Sequence, residues 1–383
     1  MMTVFPIEEL RHHSTPFYYY DLNLLRATLK AIKECVTDNR YKVHYAVKAN
    51  ANPLILKEIS AAGLGADCVS GGEIKAALYA GFPSCGIVYA GVGKSDEEIT
   101  LGLANGIGCF NVESIEELEI INQIAADRNQ KATVALRVNP DIDAHTHEYI
   151  TTGLAENKFG IAWESLDSVI EAALNMENVE LAGLHFHIGS QITITEPFKL
   201  LCDKINTLLD RYESKGVFFR TINVGGGLGI DYDTPDQNPI PDFKSYFAVF
   251  AKNLKLRPEQ ELHFELGRSV VAQCGSLITK VLYVKKGVTK QFAIVDAGFT
   301  DLIRPALYGA HHLIQNLTSD GPTSRYDVVG PICESSDCFG KDENLPLTHR
   351  GDLLALRSAG AYGEIMASRY NCRQFPGAVF SAD

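Results

Sequence analysis

The chain has 383 residues, of which 46% are apolar and 21% charged, with 32 glycines and 15 prolines. This composition supports a large apolar core and excludes a disordered, collagen-like or coiled-coil chain. Lysine and arginine number 35 against 47 aspartates and glutamates, so the net charge of −12 makes nucleic acid an unfavourable partner.

The N-terminal residues and the cysteines indicate the compartment. Residues 1–20 contain Glu8, Glu9 and Arg11 and no long apolar run, so we expect no signal peptide. No stretch reaches the roughly 18 apolar residues of a membrane-spanning helix, so we expect no membrane partner. The nine cysteines are scattered, without a CxxC pair, as is typical of reduced thiols. Together these features predict a cytoplasmic protein.

Eight short apolar runs alternate with longer amphipathic stretches along the first two thirds of the chain. The runs are VHYAV (43–47), GADCV (65–69), GIVYA (86–90), GIGCF (106–110), TVALRV (133–138), LAGLHFHI (181–188), TINVG (221–225) and LHFEL (262–266). Eight strands alternating with helices predict an α/β protein with a closed parallel (β/α)8 TIM barrel. We place this domain at residues 25–268.

The pattern changes after about residue 270. Segments such as QFAIVDAG and SRYDVVGPI alternate like strands and carry turn residues, with little helical periodicity. Residues 14–20, STPFYYY, also read as a strand that precedes the barrel. The sequence therefore predicts a mostly β domain built from residues 1–24 and 269–383.

Polar residues follow the predicted strands at their C-terminal ends. For any single residue, a strand running into a polar turn is the simpler explanation. A barrel, however, gathers these ends at one face, where barrel enzymes build their active sites. The residues are Lys48, Ser70, Asn111, Asn139, Ser190, Gly226 and Glu265.

Two of these strand ends offer distinct chemistry. Lys48, in YAVKAN, suits Schiff-base formation if it is desolvated, although such a lysine can also simply extend into solvent. His185 and His187 in HFHIGSQ form either a metal-binding pair or a platform for a flat ring. A metal needs further ligands and no HExxH motif is present, so the metal interpretation is the weaker one.

The last two strands supply a phosphate site and a carboxylate. VGGGLG (224–229) can present backbone amides to an anion, although a glycine triplet is often only a tight turn. ELGR (265–268) brings Glu265, which either holds a pyridine nitrogen protonated or forms a surface pair with Arg268. With Lys48 and the histidines, these are the parts that pyridoxal 5′-phosphate requires, and we predict that cofactor and no metal.

The chain resembles the pyridoxal-phosphate-dependent decarboxylases of the alanine racemase fold (fold type III), and among them the diaminopimelate decarboxylases. The resemblance extends over almost the whole chain, from YYYDLNLL to GAYGEIMAS. It rests on the motifs YAVKAN, HFHIGSQ, NVGGGLG, ELGR, RPALYGAHH and GPICESSDCF.

The resemblance implies a role for each matching position. The catalytic residues would be Lys48, which joins the cofactor as a Schiff base, His187, Glu265 and Cys333. The residues around the cofactor would be Lys48, His187, Ser190, Gly226, Gly227, Glu265, Gly267, Arg268 and Tyr362. The residues around the substrate would be Arg268, Arg304, Tyr308, Glu334 and Tyr362. The resemblance also implies a homodimer with shared sites, in which Cys333, Glu334 and Tyr362 enter from the partner subunit.

The resemblance implies decarboxylation of meso-2,6-diaminopimelate to L-lysine, the last step of lysine biosynthesis. Glu334, which follows Cys333, favours this substrate over ornithine-type relatives, which usually have aspartate there. Leu266 stands where the family usually has proline. A decarboxylase for ornithine, arginine or a carboxylated polyamine such as carboxynorspermidine is the alternative. A metal-dependent hydrolase using His185 and His187, or a non-catalytic pyridoxal phosphate protein, represents other functional classes.

Overall fold

The structure is a computed structural model that describes residues 5–142 and 158–381. Two compact units make up the chain. The β-unit contains Met1–Thr28, Ile230–Pro241 and Arg268–Asp383, and the barrel unit contains Leu29–Gly229 and Asp242–Gly267. No sequence pattern had indicated that Ile230–Pro241 groups with the β-unit. The predicted domain limits, 25–268 against 1–24 and 269–383, remain predictions.

The chain begins with helix α1 (Ile7–Leu10), strand β1 (Phe17–Tyr20) and helix α2 (Leu22–Cys35). Eight parallel strands then form a closed barrel, in which the first strand pairs with the last through Tyr41 and Leu262. They are β2 (Tyr41–Ala46), β3 (Gly65–Cys68), β4 (Ile87–Tyr89), β5 (Cys109–Val112), β6 (Ala132–Arg137), β7 (Val179–His185), β8 (Thr221–Asn223) and β9 (Glu261–Leu266). The predicted barrel is confirmed.

One predicted strand is displaced. The run GIGCF begins at Gly106, which adopts a φ of 61° as the C-cap of the preceding helix, so β5 starts three residues later, at Cys109. A left-handed residue of this kind is a common way to end a helix. The run GIGCF therefore contains the end of a helix as well as the start of strand β5.

Within the described residues, seven α-helices lie between the barrel strands. Three of them begin with a serine whose side chain accepts a hydrogen bond from the backbone of a glutamate three residues later: Ser70, Ser95 and Ser114. The helices are α3 (Pro53–Ala61), α4 (Gly71–Tyr79), α5 (Asp96–Asn105), α6 (Ile115–Asp127), α7 (Leu166–Asn175), α8 (Glu196–Glu213) and α9 (Phe243–Asn253). Within residues 5–142 and 158–381, no helix combines the length and apolar character needed to cross a bilayer.

The strands of the β-unit after the barrel are β10 (Gly275–Lys286), β11 (Gln291–Val295), β12 (Ile314–Asn316), β13 (Thr323–Val329), β14 (Cys338–Pro346), β15 (Leu353–Leu356) and β16 (Gly377–Phe380). With β1 they form an eight-stranded sheet with the order β12-β15-β10-β11-β13-β14, which β1 joins between β10 and β16. The predicted N-terminal strand is therefore confirmed, because β1 pairs antiparallel with β10. Two short helices, α10 (Arg268–Val271) and α11 (Arg304–Tyr308), lie in the same unit.

Aromatic packing anchors α9 to the last barrel strand. Phe264 of β9 is fully buried, and its ring centroid lies 4.9 Å from that of Phe247 and 5.2 Å from that of Phe250. Tyr246 packs edge-on against the same ring at 5.8 Å. Edge-on pairs of this kind add to the free energy gained by burial. Because Phe264 precedes Glu265, this cluster also holds the strand end that carries the candidate site.

Replacing Phe264 with alanine should lower the free energy of unfolding by about 3–5 kcal/mol, because a large cavity opens in the cluster. Urea unfolding followed by circular dichroism measures the change. Phe218, whose surface is 68% exposed, is the matched control, and its alanine variant should shift stability by less than about 0.5 kcal/mol. Equal losses in the two variants would contradict the packing assigned to Phe264.

Candidate active site

Lys48 lies in a short 3-10 helix, Val47–Ala49, directly after β2. Its Nζ donates to Oδ2 of Asp67 on β3 at 3.0 Å. Asp67 is fully buried; burial, and next the charge of Glu265, raise its pKa to about 6 although Lys48 opposes the shift. Asp67 thus holds the amine of Lys48 at the strand ends. The sequence analysis missed Asp67, although an aspartate inside the apolar run GADCV was a visible signal.

Glu265 lies near the end of β9 and is surrounded by hydrogen-bond donors. Its Oε1 accepts from the side-chain amides of Asn111 at 3.1 Å and Asn223 at 2.8 Å, and its Oε2 faces His185 Nε2 at 3.1 Å. Burial alone would raise the pKa of Glu265. The attraction and hydrogen bond of His185, together with Lys48, outweigh burial and hold that pKa well below its usual range. Glu265 is therefore an ionised acceptor, as a protonated pyridine nitrogen requires.

His187 lies just beyond β7, next to the glycine-rich turn. Its Nδ1 accepts a hydrogen bond from the backbone N–H of Gly226 at 3.3 Å. Burial, followed by the positive charges of Arg137 and Lys48, lowers the pKa of His187 to about 3. The ring is consequently neutral at physiological pH and flat, which suits stacking beside a positively charged heterocycle.

The turn at Gly225–Gly227 tolerates only glycine. A Cβ on Gly226 would lie 2.0 Å from the carbonyl oxygen of Glu265, and Gly225 and Gly227 have φ values of 69° and 105°. Within the described ranges the backbone N–H of Gly227 donates to no acceptor. This close-packed turn with an available amide fits the phosphate of the predicted cofactor. Ser190 is half-buried in the loop after β7.

The two histidines of HFHIGSQ make different contacts. His185 faces Glu265, whereas His187 accepts from Gly226. Among the residues whose positions are described, no group of three or more histidine, cysteine, aspartate or glutamate side chains is arranged to hold a metal ion.

The β-unit contains a cluster of two buried arginines around one tyrosine. Arg268 Nη1 donates to the hydroxyl of Tyr232 at 2.6 Å, and the guanidinium of Arg304 lies 5.1 Å from the centroid of the same ring. Arg268 also lies over Tyr362, at 5.0 Å. No carboxylate in the described ranges pairs with Arg304, which leaves its charge available to an anion. Tyr308 ends the short helix that Arg304 begins.

A neutral histidine orients Arg304. Arg304 Nη1 donates to His312 Nε2 at 2.8 Å, while His312 Nδ1 donates to the carbonyl of Arg357 at 2.8 Å. His312 is fully buried, and burial followed by repulsion from Arg304 lowers its pKa to about 3. The imidazole therefore positions the guanidinium without neutralising it.

Cys333 and Glu334 lie on an exposed loop of the β-unit. The backbone N–H of Cys333 donates to Asn371 Oδ1 at 3.3 Å, and Glu334 Oε1 accepts from the Tyr370 hydroxyl at 2.6 Å. Buried Asp337 closes the loop, accepting from the backbone of Ile332 and of Phe299 at 2.7 Å each. The loop thus presents its thiol and carboxylate outward from a fixed base.

The structure distributes the predicted site residues over both units. The barrel unit contains Lys48, His187, Ser190, Gly226, Gly227, Glu265 and Gly267, and the β-unit contains Arg268, Arg304, Tyr308, Cys333, Glu334 and Tyr362. Besides Asp67, sequence reasoning missed Asn223, Tyr232 and His312. His312 lies inside the quoted motif RPALYGAHH, but no pattern singled out Asn223 or Tyr232.

His312 should make stability fall as the solution is acidified. The unfolded chain protonates this histidine below about pH 6.5, whereas the folded one stays neutral down to about pH 3, so the unfolded state binds more protons in that window. Replacing His312 with asparagine should reduce the slope of unfolding free energy against pH by about 1 kcal/mol per pH unit between pH 6.5 and 5. Urea titrations at several pH values measure it. Equal slopes in the His312→Asn variant and the wild-type protein would contradict the buried, neutral state assigned to His312.

Known proteins resemble this chain over most of its length. Residues 22–272 match the family described as pyridoxal-dependent decarboxylase, pyridoxal binding domain. The chain is 63% identical over 98% of both chains to a diaminopimelate decarboxylase of Bacteroides thetaiotaomicron. It is 45% identical to one of Pseudomonas aeruginosa, over 94% of this chain and 86% of the relative.

Solved structures similar to this one include members of the same family. The diaminopimelate decarboxylase of Helicobacter pylori complexed with L-lysine superposes with a TM-score of 0.93 at 41% identity, covering 98% of this chain and 94% of that one. A lysine/ornithine decarboxylase from Vibrio vulnificus, at 22% identity and a TM-score of 0.85, shares the fold. The chain belongs to the diaminopimelate decarboxylase family of pyridoxal-dependent decarboxylases.

Proposed function

We propose that this protein removes one carboxylate of meso-2,6-diaminopimelate as CO2 and yields L-lysine, with pyridoxal 5′-phosphate as cofactor. The observation that carries the proposal is the ionised Glu265 on the same barrel as Lys48 and the glycine turn, in a chain 63% identical to a diaminopimelate decarboxylase. The Helicobacter pylori relative was solved with L-lysine, the product we propose. Decarboxylation of another basic amino acid or a carboxylated polyamine is the alternative.

The barrel residues fit the cofactor by their chemistry. Lys48 supplies the amine that binds it covalently, and His187 supplies a neutral flat ring. The turn at Gly226 and Gly227 approaches closely because it lacks side chains, and it supplies the available backbone amide of Gly227. Ser190, Gly267, Arg268 and Tyr362 complete the proposed cofactor set. When bound, pyridoxal phosphate accepts the electron pair left by the departing carboxylate. Leu266 is buried at the end of β9, at the position where the family usually has proline.

Glu265 and His187 keep the charges of the site compatible. The ionised carboxylate accepts a hydrogen bond from a protonated ring nitrogen, a charge-assisted interaction that is stronger than a neutral one. The neutral imidazole avoids placing a second positive charge beside that ring. Both states follow from the pKa shifts of the two side chains.

We assign Arg268, Arg304 and Tyr308 to the substrate carboxylate that is retained. The planar guanidinium matches a carboxylate with two parallel hydrogen bonds. Burial supports this assignment, since both arginines are only 6% exposed and a buried cation binds an anion with little competition from water.

Cys333 is proposed to donate the proton that replaces the lost carboxylate, and Glu334 to bind the distal ammonium of the substrate. We propose that both, with Tyr362, act in the site of a partner subunit in a homodimer. The exposure of Cys333 and Glu334 on this chain supports that arrangement, whereas Tyr362 is half-buried beside Arg268 of the same chain. We also propose a cytoplasmic location, supported by all nine cysteines being free thiols at described positions.

The first test is turnover with a panel of amino acids. With pyridoxal phosphate, the protein should release CO2 and lysine from meso-diaminopimelate and turn over ornithine and arginine far more slowly. Lys48→Ala should abolish both turnover and the absorbance of the lysine-bound cofactor. Cys333→Ala should keep that absorbance but lose about 100-fold or more in turnover, as expected for a general acid. Cys85→Ala, another exposed thiol, is the control and should remain active.

Shared sites can be tested by mixing the two inactive variants. Lys48→Ala and Cys333→Ala subunits should regain about a quarter of wild-type turnover after dissociation and reassociation, because half of the random dimers are mixed and each has one intact site. Mixing either variant with itself is the control. No recovery, with mixed dimers demonstrated by native mass spectrometry, would contradict a shared site.

A further inference from the structure

We propose that Asn223 is a positioning residue that joins the glycine turn to Glu265 and, together with Asn111 and His185, leaves that carboxylate a single open acceptor position. The inference rests on the proposed function, because the donor that would fill this position is the ring nitrogen of pyridoxal phosphate. The residues concerned all lie in the barrel unit.

The hydrogen bonds of Glu265 occupy most of the acceptor positions of its carboxylate. A carboxylate offers about four acceptor positions, two on each oxygen. Oε1 takes two donors, from Asn111 at 3.1 Å and Asn223 at 2.8 Å, and Oε2 takes one, from His185 at 3.1 Å. Glu265 is only 7% exposed, so bulk water has little access to the remaining position. That position is on Oε2.

His185 acts in this set as a donor. Its Nδ1 is buried and has no hydrogen-bond partner among the described residues, so the contact at Nε2 is its only one. Nε2 must carry a proton there, because otherwise its lone pair would face the carboxylate oxygen. Three donors from three different strands therefore stabilise the ionised form of Glu265 and fix its orientation.

Asn223 differs from the other two donors because both ends of its amide are used. Its Oδ1 accepts from the backbone N–H of Gly225 at 2.9 Å, which forces its Nδ2 toward Glu265. The backbone N–H of Glu265 donates in return to the carbonyl of Gly225 at 2.8 Å. Asn223, the turn and Glu265 thus form a closed ring of hydrogen bonds. The orientation of the carboxylate and the shape of the phosphate cradle are set together.

The experiment compares how tightly the apoprotein binds pyridoxal phosphate and its 1-deaza analogue, in which a CH group replaces the ring nitrogen. Damage to the cradle weakens both ligands equally, whereas damage to the carboxylate weakens only pyridoxal phosphate. The wild-type protein should prefer pyridoxal phosphate by roughly 10-fold or more, as expected for a charge-assisted hydrogen bond. Thermal melting of each apoprotein verifies that the variants are folded.

The variants separate the effect of Asn223 on the Glu265 carboxylate from its effect on the glycine turn. Asn111→Ala, the matched control, should reduce the preference by roughly threefold or more and leave affinity for the deaza analogue unchanged. Asn223→Ala should reduce the preference similarly and also weaken binding of the analogue. Asn223→Asp retains an oxygen for the Gly225 N–H, so affinity for the analogue should return toward the wild-type value. His185→Leu removes another donor to Glu265. It should reduce the preference for pyridoxal phosphate over the analogue and leave affinity for the analogue unchanged.

Two outcomes would overturn the inference. One is a wild-type preference retained in folded Asn223→Ala and His185→Leu proteins, which would leave these residues a structural role only. The other is an affinity for the analogue that Asn223→Ala leaves unchanged. Both differ from failure of the proposed function, in which the wild-type protein itself would bind no pyridoxal phosphate and decarboxylate no substrate.

Discussion

The barrel site depends on one buried carboxylate that remains charged. Desolvating a lone carboxylate costs several kcal/mol, so Glu265 stays ionised only because donors surround it. Those donors come from β7 and β8, its near neighbours in the barrel, and from β5, which is not adjacent to β9. Asn111 on β5 reaches Glu265 across the interior of the barrel. Closure of the barrel is therefore a condition for the charge state on which the chemistry relies.

The same carboxylate constrains the glycine turn. Gly226 passes so close to the carbonyl of Glu265 that no side chain fits between them, and the carbonyl of Gly225 accepts a hydrogen bond from the backbone N–H of Glu265. The strand end that fixes the charge thus also fixes the path of the glycine turn that we propose as the phosphate site. A glycine run that alone indicated only a tight turn acquires its function from this packing.

Sequence predicted the parts of the site that follow from chain position. Lys48, Glu265 and the glycine run each end a barrel strand, and parallel strands bring such ends to one face. Asn223 and Tyr232 could not be predicted in the same way. The role of Asn223 depends on Glu265, which is 42 residues away, and Tyr232 lies in the segment Ile230–Pro241, which interrupts the barrel sequence but groups with the β-unit. Long-range contacts of this kind leave no local periodicity in the sequence.

Histidine serves each unit as a neutral partner of a group that must keep its charge or its orientation. His187 accepts from a backbone amide, and His312 accepts from Arg304 while donating to a carbonyl. An aspartate at the position of His312 would also have oriented the guanidinium of Arg304, but its negative charge would have neutralised the positive charge of that group. A neutral imidazole fixes the direction of Arg304 and leaves its full positive charge for the carboxylate that we propose it binds. For the substrate that we propose, which has a carboxylate at each end, that retained charge would attract one carboxylate and the fixed direction would set where it binds.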